Sequence, residues 1–235
     1  MLLSNRAHSI LRRWFKWVIP FIVGITIPRA SFSQKNISQL IASLETTHDT
    51  NKAEIYYNIY TYYKFYQPDS AYYFLIDGVR KFSANGNMAG VATLTQLLGA
   101  LDASHGNLVL AKKRELEALD LFAKLKKMRG VGLAYNTLGT IEGRKGNWDS
   151  AGFYFIKAQK IFQDIQYDEG LANTYTNLGL LYANSGKADK ALVYYNKLVD
   201  LAIRDSTNIR PLCDAYHNIA IAYGRHGDLD SAVYY

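Results

Sequence analysis

A single cysteine, Cys213, stands in the 235-residue chain, so no intramolecular disulfide can form and the fold must rest on burial alone. The same scarcity speaks against a structural metal centre. Cys213 and His217 lie four residues apart and would share a helix face, but a structural zinc site takes four ligands, and no second cysteine or nearby histidine pair supplies the rest. For Cys213 a thiol buried beside a polar position is expected. A Cys–His nucleophilic pair is equally unsupported, since no third group is placed to orient the histidine. Neither GxGxxG nor a GxxxxGK(S/T) phosphate loop occurs. The carboxylates are scattered, with no pair recurring at a spacing suited to general acid–base work. We therefore expect no enzyme, no cofactor and no metal in the chain as given.

Acidic residues are missing from the first 33 positions, which hold Arg6, Arg12, Arg13, Lys16 and Arg29. The formal charge of +7 is concentrated there: the other 22 of the 27 Lys and Arg face 20 Asp and Glu, which leaves +2. So small a balance speaks against a nucleic-acid partner, whose capture runs on phosphate neutralisation. The positive stretch, the apolar run Trp17–Ile27 and the small residues of Ala30-Ser31-Phe32-Ser33 follow the order of an export signal. That run spans 11 residues, against about 20 for a membrane-crossing helix, and Pro20 and Pro28 shorten it as a helix. Residues 1–33 read as a signal peptide that leaves Gln34 as the new N-terminus; an uncleaved signal anchor is the alternative. No later segment is apolar enough to span a membrane. The expected location is exported and periplasmic.

What the sequence has in abundance is self-similarity. Glycine followed five residues later by alanine occurs at Gly106/Ala111, Gly146/Ala151, Gly186/Ala191 and Gly227/Ala232, and Ala71 extends the alanine series backwards. The spacings are 40, 40, 40 and 41 residues. Eight residues before each glycine stands an aliphatic–small pair: Leu98-Gly99, Leu138-Gly139, Leu178-Gly179 and Ile219-Ala220. Tyr135, Tyr175 and Tyr216 precede the pair by three, with Thr95 in the second unit, while Tyr182 and Tyr223 follow it. Two antiparallel helices approach closely only where side chains are small. Gly139 on a first helix and Ala151 and Ala158 on a second would make that notch, filled by Tyr135, Leu138 and Phe155 at helical spacing. Gly146 would end the first helix in a left-handed conformation. Asn147 and Asp149, and likewise Asp228 and Asp230, are placed to cap the next.

This pattern resembles the tetratricopeptide repeat (TPR) family over about residues 52–235. The resemblance implies an all-α fold: a right-handed superhelical solenoid of antiparallel helix hairpins, about five repeats of 40 residues. Residues 34–51 form a leading helix and linker, and the array divides approximately into 52–91, 92–131, 132–171, 172–212 and an incomplete 213–235. The chain departs from the family in its first aromatic, Tyr for Trp, in the missing closing proline and in a period of 40 rather than 34. The extra length is expected in each second helix and its following loop, as in Lys157–Asp168. In the first unit Ile59-Tyr60 and Tyr63 fit only if the turn is one residue shorter.

Long-period repeats behind an export signal resemble the periplasmic sensory regions of bacterial sensor histidine kinases and transcription regulators. The dipeptides Asp69-Ser70, Asp149-Ser150 and Asp230-Ser231 strengthen that likeness. With Tyr235 inside the second helix of an uncapped hairpin, a truncated chain is expected, with room for a downstream membrane anchor or output domain. The function implied is an exported protein- or peptide-binding module, the sensory portion of a signal-transduction protein. The alternatives are a free-standing periplasmic scaffold or assembly factor, and the non-catalytic N-terminal region of an enzyme whose catalytic domain lies beyond residue 235.

Family resemblance places ligand contacts on first-helix positions that avoid the packing stripe. One such series is Gln96, Asn136, Thr176 and His217; the other is Ser104, Arg144, Asn184 and Arg225. All are polar, so they are either solvated residues or a groove of amide donors and arginines that holds a carboxylate. Ten of the 19 residues from Tyr56 to Phe74 are Tyr or Phe. Ile59, Tyr63 and Tyr73 should face inward, with some of Tyr57, Tyr60 and Tyr62 exposed as a contact patch. The runs Lys112-Lys113-Arg114 and Lys124–Arg129 read as solvated faces of second helices.

Overall fold

The structure is a computed structural model that describes residues 34–47, 49–204 and 210–226. The proposed signal segment, Gly227, Asp228, Asp230 and Ala232 lie outside the described residues. The chain divides into two compact units, residues 1–45 and 46–235. The first carries helix α1, Gln34–Thr46, where Ser43 Oγ donates to the Leu40 carbonyl at 2.7 Å.

In the second unit nine helices follow one another among the described residues: α2 Asp49–Tyr63, α3 Pro68–Ala84, α4 Met88–Ser104, α5 Leu108–Lys124, α6 Met128–Arg144, α7 Trp148–Asp164, α8 Asp168–Asn184, α9 Ala188–Arg204 and α10 Arg210–His226. From α3 onward each helix has 17 residues. From α3 to α9 each connection has three residues, so a new helix starts every 20. The 40-residue period is thus two equal helix–turn units. The extra length is shared by both helices and both turns rather than lodged in the second helix and its loop.

The turns explain the regularity. The middle residue of each is left-handed: Gly86, Gly106, Lys126, Gly146, Gln166 and Gly186. The residue after it donates back across the helix end: Asn107 N to Asp102 O, Lys127 N to Phe122 O and Asn147 N to Glu142 O, all at 2.9 Å. This closure satisfies carbonyls that the helix leaves open. Asn147 occupies the N-cap of α7, yet its side chain makes no cap bond and donates instead to Glu142 Oε2 at 2.6 Å. A buried carboxylate offers the amide a stronger partner than the helix end does. Asn87 does cap, accepting from Gly90 N.

Packing within a hairpin follows the small-residue rule. Phe155 lies against Gly139 and Tyr195 against Gly179, so closely that a Cβ at either glycine would fall inside the ring. Between hairpins a second glycine series does the same work: Phe82 covers Gly90, Phe122 covers Gly130 and Phe162 covers Gly170. Leu138, Ala151, Ala158, Phe162 and Leu178 are fully buried, each large one contributing about 1.5–3 kcal/mol.

The first hairpin, α2–α3, differs from expectation. The interval from Ile59 to Ala71 is one residue short because α2 ends early, at Tyr63; the turn itself is four residues, one longer than the others. Ile59 is buried as expected, but Tyr73 is 66% exposed, and Tyr56 and Tyr60 fill the core instead. The Tyr56 ring meets Phe82 edge-on, with 5.7 Å between centroids. Tyr57 is exposed, and Tyr62 and Tyr63 are half-buried. Cys213 is exposed on α10, not buried. Of the basic run 112–114 only Lys113 is exposed, because Lys112 and Arg114 reach carboxylates on the flanking first helices.

Candidate functional site

The first helices of the hairpins line the inner side of the array. α2 approaches α4, α4 approaches α6, α6 approaches α8 and α8 approaches α10, whereas among the described residues no two second helices come together. Curvature of this sense puts first-helix polar residues on the tighter face.

Along that face the two polar series form separate rows. Eight residues divide Gln96 from Ser104 on one helix, a rise of about 12 Å. In the first row Asn136 is half-buried and bridges α6 to α8, its Oδ1 accepting from Asn177 Nδ2 at 3.2 Å and from Thr174 Oγ1 at 3.4 Å. Thr176 Oγ1 bonds back to the Ala172 carbonyl at 3.0 Å. Gln96 does not reach the open face with its amide, since Nε2 is buried and turned toward Glu115. His217 is exposed on α10.

In the second row Ser104, Arg144 and Asn184 are the last residues of α4, α6 and α8. They sit along the turn edge of the array. All three are exposed. Arg144 donates from its guanidinium to the Ala103 carbonyl, where a cation complements the partial negative charge of the α4 terminus. Ser104 Oγ donates to the Leu101 carbonyl at 2.7 Å. Arg225 lies on α10, and its side chain is outside the described residues.

The structure also assembles groups that the polar series do not contain. Asp102, Glu115 and Glu142 are almost wholly buried, in and beside the second hairpin. Asp102 on α4 accepts from Tyr72 OH of α3 at 2.6 Å and lies 2.7 Å from Arg114 of α5. Burial first, and then the bond to Asp102, push the Tyr72 hydroxyl up to about 12. Glu142 on α6 accepts from Lys112 of α5 at 2.7 Å and from Asn147. These bonds, that of Lys112 foremost, hold its carboxyl below the usual range and raise the Lys112 ammonium.

Glu115 is different. It packs over Gly99, in the slot that Phe155 and Tyr195 fill in later hairpins, with no cation beside it and the Gln96 amide as its neighbour. Burial pushes its carboxyl well above 4.5, and the adjacent Gln96 amide offsets this only in part. The sequence does carry a signal for these acids: Leu75, Glu115, Phe155 and Tyr195 share one repeat position, and Asp102, Glu142, Tyr182 and Tyr223 share another. An acid at a position otherwise apolar or aromatic marks a buried carboxylate. Among the described residues no group of three or more His, Cys, Asp or Glu is placed to hold a metal ion, and no helix is long and apolar enough to cross a membrane.

A family model of the tetratricopeptide repeat matches residues 130–204, which run from α6 to the end of α9. These are tetratricopeptide repeats. The array shares its all-α solenoid with solved structures. BtubC (BKLC) from P. vanneervenii aligns with a TM-score of 0.66 at 20% identity, over 85% of this chain and 84% of its own. A Rap protein complexed with competence and sporulation factor aligns at 0.65 and 16%, over 85% of this chain and 66% of that one. Aspartyl phosphate phosphatase F from Bacillus subtilis aligns at 0.64 and 13%, over 85% and 62%. The chain thus spans just under two thirds of the length of the last two. At such identities the likeness concerns the fold alone. No curated protein matches the sequence. The tetratricopeptide fold points to a protein-interaction module.

Proposed function

We propose that this chain is an exported, non-catalytic module that binds a protein or peptide segment along the inner face of its first helices, and that it forms the sensory portion of a larger signal-transduction protein. One observation carries the binding reading. Polar residues recur every 40 positions on α4, α6 and α8, the helices of the inner face, and Ser104, Arg144 and Asn184 are exposed there. Asn136 and Thr176 add amide and hydroxyl groups at half depth. An extended segment with a carboxylate near Arg144 would find a cation and several hydrogen-bonding groups at one repeat spacing. Export is supported by the order of charge, apolar run and small residues in positions 1–33. The Asp-Ser dipeptides and the long period support the sensory assignment by resemblance.

The test is direct. One class of the peptides selected by display against the full chain should lose binding when Arg144 and Arg225 are both replaced by alanine, while helicity and melting stay close to wild type. Unchanged binding of every selected peptide would sink the inner-face reading. Cell fractionation with N-terminal sequencing tests export, with Gln34 as the expected first residue. Reading the coding sequence past Tyr235 tests the sensory assignment: a membrane helix with a kinase or DNA-binding domain is expected.

A further inference from the structure

At the first two junctions between hairpins, a residue on a second helix reaches the residue 30 positions later on the next first helix. At the first junction Tyr72 donates to Asp102 at 2.6 Å. At the second Lys112 donates to Glu142 at 2.7 Å. At the third the equivalent pair is Gly152 and Tyr182, so the second helix has no side chain to offer at that position. In its place lies a cleft of about 370 Å³, lined by Trp148, Gly152 and Phe153 of α7, by Leu181 and Tyr182 of α8, by Lys187 of the turn that follows and by Lys190 of α9.

Gly152 is the informative residue. Among the helical glycines from Gly78 to Gly179, all but Gly143 and Gly152 sit under a neighbouring side chain that leaves no room for a Cβ. At Gly152 a Cβ would meet only Leu181 Cδ2, at an ordinary 3.5 Å. Packing does not demand glycine there, although glycine costs a helix about 1 kcal/mol relative to alanine. Its effect is to keep the cleft open.

The lining states what would enter. Trp148 and Phe153 are 42% and 56% exposed and form an apolar wall. Lys190 lies 5.7 Å from the centre of the Tyr182 ring, and that ring stacks on Tyr194 with centroids 5.5 Å apart. The acids that answer the second helix at the earlier junctions are replaced here by Tyr182, so on the α9 side the cleft presents two lysines and no carboxylate. Its one acid, Asp149, stands in the first turn of α7, where the helix N-terminus favours it. Ser185 is already bonded to the Leu181 and Tyr182 carbonyls.

We propose that this cleft, whose lining does not include Arg144, is a second recognition site. It takes a peptide segment in which an Asp or Glu adjoins a large apolar side chain. The apolar group fills the space over Gly152 against Trp148, Phe153 and Leu181. The carboxylate pairs with Lys187 and Lys190, supplying from outside the acid that the earlier junctions carry within the chain. The volume suits one or two side chains, at the small end of ligand sites.

The experiment is a random heptapeptide display selection on the full chain, followed by fluorescence anisotropy with synthesised hits. Enrichment of Asp or Glu beside Trp, Phe or Leu is expected. Gly152→Leu, which fills the cleft, should weaken those peptides by about tenfold or more. Lys187→Ala with Lys190→Ala should weaken them as well and make the remainder insensitive to salt. Arg144→Ala should leave them unchanged, which separates this site from the inner face. Because Gly152→Leu sits on a helix surface, thermal melting monitors its fold; if it melts early, the two exposed lysine replacements decide. A selection in which no hit carries the acidic–apolar pattern, or pattern-bearing hits that bind Gly152→Leu or the lysine variant as wild type, would overturn the proposal.

Discussion

The second and third hairpins have the same backbone and opposite interiors. In α6–α7 the space over Gly139 is filled by the Phe155 ring; in α4–α5 the space over Gly99 is filled by the Glu115 carboxyl. The helices have the same length and the turns close with the same hydrogen bonds. An aromatic ring in that slot gains from burial and dispersion. A carboxyl there gains nothing comparable and must give up water. The repeat therefore sets geometry through its glycines and turns, while individual side chains decide how firmly each hairpin is held. Asp102 and Glu142 show how buried acids are made tolerable, each with a cation and a hydrogen-bond donor. Glu115 lacks the cation.

The largest test of this contrast is a pair of truncations. Phe155→Ala should cost about 3–5 kcal/mol, because it empties a fully packed slot. Glu115→Ala at the equivalent position should cost far less, and Glu115→Leu should stabilise by about 1–3 kcal/mol by removing a buried carboxyl that has no cation beside it. Urea denaturation of the three variants measures the difference. Equal losses for the two alanine variants would show that the slot, and not its occupant, carries the stability.

A second, smaller effect lies in pH. Glu115 has its carboxyl raised in the fold, so the native state holds that proton more tightly than the unfolded chain. Stability from this group is complete below the ordinary 4.5 and falls as pH rises from there through the raised value. Glu142 runs the other way. Its carboxyl is lowered, so its contribution is complete above 4.5 and is lost as pH falls through the lowered value. Melting temperature against pH should therefore decline on both sides. Glu115→Gln should flatten the upper limb and leave the acid limb in place. An unchanged upper limb would place the titration elsewhere.

The smallest effect sharpens the comparison between turns. Lys126 and Gln166 hold the left-handed position that Gly86, Gly106, Gly146 and Gly186 hold in the other three-residue turns described. The local strain relieved by Lys126→Gly or Gln166→Gly exceeds the added freedom of the unfolded chain, so each should gain up to about 1 kcal/mol. Thermal melting of the single variants checks this, and no gain would mean that the surrounding turn already relaxes the side chain.

Much of the molecule is legible in its amino-acid pattern. The Gly–Ala spacing marks the turns at Gly106, Gly146 and Gly186, and the Leu-Gly pairs mark the close approaches, because these depend on local backbone freedom and on the absence of a side chain. The first hairpin is harder to read. A crowd of ten Tyr and Phe residues carries no periodic contrast between inside and outside, so the pattern points Tyr73 inward and gives no sign that Tyr56 is the buried ring. The candidate site is legible only as a set of polar positions. That Asn136 spends its amide on Asn177 and Thr174, that Gln96 turns into the hairpin, and that Arg144 binds the Ala103 carbonyl depend on neighbours 38 to 41 residues away or on the partner helix.

By itself the sequence determined the period, the helix class, the turns and the pairing of successive helices. Each of these rests on contacts within one repeat. Tertiary structure alone decided which face is the inner one and which acids are buried. It also decided that Gly152 leaves a cleft where Tyr72 and Lys112 close theirs, because each of these is a property of two repeats packed together.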